Sequence, residues 1–258
     1  MDKRVTSVTD GDLTWDAITG DYRILQRRRG HRYSLDDLAT AAEAAPLIPD
    51  ARRYVDLGCG IGSVLLMVSW KLRDAAVWGV EALEQSIELA RRSVRDNDLE
   101  DRVTLLHGDL RDLTRTWTGP RVDLVTGTPP YLPRGTALES PDAQRAAARI
   151  ELRGGVEDYL AAAARIVAHD GRVVVCADAR RPERVLAGAE AASLLPLRRR
   201  DIVPREGARP LFAVWTLRPK ADSAVETTAR LESLRAVMRD ADGARTARAR
   251  AMRAVFGL

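Results

Sequence analysis

Long apolar runs are missing from this sequence. No stretch of about 18 apolar residues occurs, so no membrane-spanning helix is expected, and the opening MDKRVTSVTDGD lacks the apolar core of a secretory signal. Cysteine is scarce. The two present, Cys59 and Cys176, sit in apolar runs, which excludes a disulfide framework and reads as reduced, buried residues. The three histidines (His31, His107, His169) lie far apart and, with two lone cysteines, make no metal-ligand spacing, so no metal is expected. An excess of one charge is slight: 41 Lys and Arg against 37 Asp and Glu give +4, which permits an anionic partner without demanding one. No internal repeat is visible. What remains is a 258-residue globular chain, 45% hydrophobic and 30% charged, suited to the cytoplasm.

The chain divides into three stretches. Residues 1–50 hold a polar start, a segment DYRILQ that alternates like one strand of a hairpin, and SLDDLATAAEAA, a helix with Ser34 as N-cap and Asp37 at the third position. Residues 51–219 alternate short apolar runs with helical patterns: YVDLG, AVWGVEA, RVTLLHGD, VDLVTGTP, GRVVVCAD, LRRRDIVP and LFAVWTLRP are seven strand candidates. Such alternation predicts an α/β doubly wound, Rossmann-like, mostly parallel sheet, with the last two strands antiparallel across a short loop. Residues 220–258 read as a helical tail with eight Lys and Arg against five Asp and Glu.

Asp56-Leu57-Gly58-Cys59-Gly60-Ile61-Gly62 joins the first strand of this domain to its helix. Glycines let a backbone turn tightly and approach a ligand, and the following helix offers free N–H groups. The loop departs from the dinucleotide pattern G-x-G-x-x-G, because Ser63 stands where the third glycine would be. It resembles motif I of class I methyltransferases, whose ligand, S-adenosylmethionine, carries an amino-acid end and a sulfonium; an anionic Asp56 suits that cation. The bland alternative is a tight β–α turn. Glu81 closes the second strand 25 residues on, where doubly wound folds place an acid on ribose hydroxyls, with Ala82 and Leu83 beside it to pack on adenine; it could equally cap a helix. Asp109, with Leu110, follows the third strand. The resemblance implies that this acid reads the adenine amine, although Asp109 could instead cap the next turn.

Thr128-Pro129-Pro130-Tyr131 follows the fourth strand. Two prolines fix φ and remove N–H groups, leaving a stiff loop whose carbonyls are free to accept. The quartet resembles the Asn/Asp/Ser-Pro-Pro-Tyr/Phe motif of amino-methyltransferases that act on adenine, cytosine or glutamine amides. An sp² amine is a poor nucleophile. Accepting hydrogen bonds from both its hydrogens, at the Pro129 carbonyl and the residue-128 side chain, aims its lone pair at the methyl. Tyr131 would stack on a planar substrate. Thr in place of Asn or Asp departs from the commonest pattern; a structural Pro-Pro turn with a core Tyr is the alternative.

Taken together, residues 20–218 or so resemble bacterial tRNA adenine-N6 methyltransferases of the valine-tRNA type. The match runs through LQRRRGHRYSLDDLATAAEAAP, motif I, VEALEQSIELARRSV, LLHGDLRDL, TPPY and RIELRGGVEDYLAAAARIVAHDGRVVVC. The first of these looks like the group's cofactor lid, which implies Arg32, Ser34 and Asp36 as cofactor residues. RNA, in particular tRNA, is the implied partner. Residues 23–32 hold five arginines and no acid; Arg27, Arg28 and Arg29, with Arg134 beyond TPPY, could track phosphates or be a solvated face. Glutamine and small-molecule enzymes share motif I and TPPY, so both remain alternatives. So does a non-catalytic module that binds cofactor or RNA, with Thr128 marking lost activity.

Overall fold

Alternating apolar strands and amphipathic helices build one mixed sheet with helices on both faces. The structure is a computed structural model and describes residues 10–136, 138, 140–220 and 230–258. A hairpin comes first, β1 (Leu13–Ala17) pairing antiparallel with β2 (Arg23–Arg27), then α1 (Leu35–Ala44). The winding follows: β3 (Arg53–Leu57), α2 (Ser63–Lys71), β4 (Ala76–Glu81), α3 (Glu84–Asp96), β5 (Val103–His107), the single turn α4 (Leu113–Thr116) and β6 (Val122–Gly127). After α5 (Ala143–Arg149) and α6 (Val156–Ile166) come β7 (Val167–Asp178), α7 (Pro182–Ala191), β8 (Leu194–Val203), β9 (Phe212–Pro219), β10 (Glu232–Val237) and α8 (Ala247–Ala254).

Sheet order is β10-β8-β9-β7-β6-β3-β4-β5. Only β9 runs against its neighbours, β7 and β8. The winding therefore reverses between β3 and β6, and a doubly wound sheet opens its ligand crevice at the carboxyl ends of the strands at such a point. Strand residues alternate between two cores. Leu124, Val174, Cys176 and Val214 pack with α1, α2 and the hairpin; Val125, Val173, Val175 and Trp215 pack with α6 and α7.

Two expectations change. The sheet has eight strands rather than seven, and the tail is not a continuous helix. Residues 232–237 form β10 parallel to β8, with Glu232 opposite Arg198, before α8 begins. The open edge of β8 offers a row of backbone donors and acceptors, and pairing with it outweighs the helical preference of an arginine-rich segment. Across the junction Arg198 bonds to Glu232 at 2.5 Å and to the buried Glu43 of α1 at 3.0 Å, and Arg200 reaches Glu43 at 2.7 Å. Asp222 and Glu226, counted in the tail's charge, lie outside the described residues. A smaller change is that α6 ends at Ile166 and β7 starts at once, so the expected helix does not reach Gly171. The hairpin, α2 and the segment after α8 all contribute to one core cluster: Ile24, Leu65 and Phe256 are each fully buried in it. Among the described residues no helix is long and apolar enough to cross a membrane.

Candidate active site

Motif I forms the floor of a cleft at the carboxyl edge of β3. Gly58 and Gly60 both take positive φ, +60° and +57°. A Cβ on Gly58 would strike the Tyr159 hydroxyl, whereas a Cβ on Gly60 would meet nothing within 4 Å. The first glycine is thus a packing requirement, and the second leaves bare backbone toward the cleft. Gly62 is the N-cap of α2.

Four carboxylates converge on this cavity, which is lined by Asp36, Asp37, Glu81 and Asp109, by the backbone of Gly58 and Gly60, and by Cys59, Ala82, Leu110, Thr128 and Pro130. Glu81 accepts the Gly60 amide at 2.9 Å and the Leu83 amide at 2.6 Å, which ties the second strand's acid to the glycine loop. Burial raises its pKa despite those donors. Asp37 accepts the Ser34 amide at 2.9 Å, completing the capping box of α1. Burial, reinforced by the charge of Asp36, pushes its carboxyl up to about 8. Asp109 caps the turn after β5 through the Arg111 amide at 3.0 Å and holds the Arg111 guanidinium at 2.6 Å. The side-chain bond from Arg111 is the main cause of its lowered pKa.

Asp56 lies behind the loop, 2% exposed. It accepts the Thr126 hydroxyl at 2.6 Å, so the Tyr54 hydroxyl, 2.6 Å from Thr126, must donate to that oxygen. Burial pushes Asp56 to about 7.

The TPPY loop leaves β6 beside motif I. Thr128 and Pro130 line the cavity, while Pro129 and Tyr131 line a smaller recess next to it with Asp178, Arg181 and Arg184. Tyr131 stacks on Phe212 at 6.2 Å between centroids, and its hydroxyl bonds to Asp36 at 3.1 Å and Cys176 at 2.9 Å.

The N-terminal arginines separate. Arg27 is largely covered and bonds to Asp142 at 2.7 Å, tying the hairpin to the start of α5; it is not free for a phosphate here. Arg28 and Arg29 are exposed. Arg32 bonds to Asp16 at 2.9 Å and Thr14 at 2.9 Å, and Ser34 caps α1; neither lines the cavity. Arg134 is exposed and bonds to the Leu152 carbonyl at 3.2 Å. Several lining residues were not expected from sequence: Asp37, His31, Gln144 and Tyr159. Asp37 carried a signal, but a capping role already accounted for it. Gln144 and Tyr159 carried none, being single polar residues on helices.

Residues 55–151 match the family described as methyltransferase domain. A tRNA1(Val) (adenine(37)-N6)-methyltransferase of Porphyromonas gingivalis is 27% identical over 71% of this chain and 71% of its own length. The chain carries a methyltransferase domain, one that takes its methyl group from S-adenosylmethionine. A release factor glutamine methyltransferase of Caulobacter vibrioides is 36% identical over 42% of this methyltransferase and 36% of its own length. Among solved structures, a predicted O-methyltransferase from Agrobacterium tumefaciens shares the fold, with TM-score 0.63 and 21% identity over 86% of this chain and 96% of that one. The cavity fits S-adenosylmethionine on its own chemistry. An acid-rich wall suits a sulfonium and an ammonium, bare glycine backbone admits close approach, and carboxylates beyond it suit hydroxyls and an amine.

Proposed function

We propose that this enzyme methylates the exocyclic amine of an adenine in an unpaired stretch of RNA, with tRNA as the natural substrate, in the cytoplasm. The observation that carries this reading is the shared lining: Thr128 and Pro130 stand in one cavity with Gly58, Gly60 and Glu81. The name of the Porphyromonas relative, similar over most of both chains, supports it.

In this reading the acids Asp36, Asp37 and Glu81 hold the cationic and ribose portions of the cofactor, and Asp109 with Ala82 and Leu110 receives the adenine. Asp56 acts from behind the loop, fixing its shape through Thr126. Ser34 places Asp36 through its hydroxyl, and Arg32 ties the start of α1 to the hairpin through Asp16 and Thr14, rather than touching the ligand. When bound, the cofactor supplies an electrophilic methyl group. The Thr128 hydroxyl and Pro129 carbonyl accept the two hydrogens of the substrate amine and aim its lone pair, and holding that amine in line is most of the catalysis. Tyr131 offers an aromatic wall from the neighbouring recess. Arg28, Arg29 and Arg134 meet phosphates, while Arg27 holds the hairpin in place. A paired adenine cannot present its amine in line, so the target is a loop or flipped base.

The test is labelled methyl transfer to total tRNA and to total protein, followed by nuclease and protease digestion. Label recovered as N6-methyladenosine is expected. Label that survives nuclease but not protease would replace this reading with the glutamine one, which the Caulobacter relative favours.

A further inference from the structure

A second depression lies across the first turn of α1 from the reaction cavity. Asp36 and Asp37 face the cavity, while Ser34, Leu35 and Leu38 line the depression. Its far wall is the C-terminal segment, with Met238, Arg239 and Arg245 from the turn after β10 and Ala249, Met252 and Arg253 from α8. The floor is apolar: Leu38, Met238 and Met252 are 7%, 6% and 4% exposed. The rim is cationic. Arg239 and Arg245 are exposed and Arg253 half-buried, and no described carboxylate bonds to any of the three. Asp16, the one acid among the lining residues, is neutralised by Arg32 at 2.9 Å. Asp240 of the nearby turn accepts the Ala244 amide at 2.8 Å, and neither it nor Asp242 lines the depression.

Topology puts this groove on the reactive edge of the sheet. β10 runs parallel to β8, which lies antiparallel to β9, which is antiparallel to β7. Strands β3, β6, β7, β8 and β10 therefore all point one way, and the segment after β10 emerges at the edge that carries motif I and the TPPY loop. An apolar floor between unpaired cations suits a chain that alternates apolar faces with anions. A single nucleic-acid strand has that alternation, with phosphates every nucleotide and sugar and base faces between.

We propose that this groove, between α1 and the Arg239–Arg253 segment, holds the sugar–phosphate backbone of a single RNA strand next to the target base. The proposal rests on the RNA reading above. The β10–α8 unit is then a substrate-binding part of the enzyme, and the first turn of α1 is the partition between strand and methyl donor.

The test uses the full chain with Arg239, Arg245 and Arg253 all changed to Gln, and a second triple variant to Lys. The probe is a fluorescein-labelled single-stranded oligoadenylate of twelve nucleotides, titrated at several salt concentrations, with S-adenosylmethionine affinity and the melting curve as folding controls. Each lost contact flattens the log–log salt slope by about 0.7 for a single strand, so the Gln variant is expected to lose about 2 from the slope and at least about tenfold in affinity at 0.1 M salt. The Lys variant keeps both, because a phosphate needs the charge more than the fork. Unchanged slope and affinity in the Gln variant would overturn the proposal. So would a Lys variant as weak as the Gln one, or a polyglutamate peptide of equal charge competing as well as the RNA. Methyl transfer to tRNA by the unaltered enzyme runs in parallel. No transfer at all refutes the RNA substrate itself; normal transfer with an unaltered KM in the Gln variant refutes only the groove.

Discussion

Asp37→Asn should make the unliganded protein less sensitive to alkali. Asp37 is buried among acids, and its carboxyl titrates near 8 instead of the usual 4. A carboxyl raised on folding costs nothing while it is protonated in both states, below about pH 4. Above that the unfolded chain ionises freely and the folded one does not, so stability falls as pH rises toward the folded value. One such group contributes about 1.4 kcal/mol per pH unit. From pH 5 to pH 7 Asp37 therefore removes roughly 2–3 kcal/mol, and Asn, which stays neutral and still accepts the Ser34 amide, removes none. Asp56, pushed to about 7, adds a similar slope to both proteins while Asp37 is protonated, and so contributes little to the difference. Urea denaturation at pH 5, 6 and 7 measures it. The variant's advantage should grow by roughly 2–3 kcal/mol over that range; growth under about 1 kcal/mol would refute the claim that Asp37 folds protonated. The cofactor reverses the balance. A cation favours ionised Asp37, so its binding should release protons and strengthen from pH 6 to pH 8, more steeply in the native protein than in the variant. Calorimetry in two buffers of different ionisation heat counts those protons.

Other substitutions test separate links. Glu43→Ala leaves Arg198 and Arg200 facing each other over a buried vacancy and should destabilise by about 3 kcal/mol, read as a lower urea midpoint. Gly58→Ala must hold left-handed backbone, at about 1–2 kcal/mol, and its methyl meets Tyr159 as well; cofactor affinity should fall, and adding Tyr159→Phe should restore part of it. Thr128→Val removes one acceptor for the substrate amine and should lower kcat on RNA by about 1–3 kcal/mol of barrier with cofactor affinity unchanged, whereas Thr128→Asn should keep activity. A proportional loss of cofactor binding in the Val variant would place Thr128 in the cofactor site instead.

The sheet was legible because its signals are local and repeated. Each central strand is a run of Val, Leu or Ala bounded by a turn, and motif I falls at the β3–α2 junction with three glycines in the loop where the backbone turns left-handed. The TPPY loop was legible for a similar reason, since two prolines leave little conformational choice. β10 was not. ESLRAV is short and half polar, and it becomes a strand only because β8 presents an open edge to pair with. The hairpin's arginines show the same limit. Sequence displays Arg27, Arg28 and Arg29 as one basic run, yet Arg27 meets Asp142, 115 positions away, while its two neighbours face solvent.

Asp37 shows how a site residue can be hidden by a correct local reading. At the third position of a helix after a serine, an acid is expected as a cap, and Asp37 does cap Ser34. A cap on a surface helix would be solvated and fully ionised. This one is buried because the hairpin and α5 close over the start of α1, with Gln144 receiving the His31 amide at 3.1 Å and Arg27 holding Asp142. The same closure gathers Asp36 and Asp37 with Glu81 and Asp109 around one cavity, although 73 positions separate the first of these acids from the last. Asp36 and Asp37 repel each other, and burial raises that cost; protonation of Asp37 relieves it only in part. A permanent cation that cannot surrender its charge relieves it at every pH, which a protonated amine does not. The acid cluster is therefore a reason, independent of motif I, for this cleft to select a sulfonium over the neutral thioether left after methyl transfer, and so to release the spent cofactor.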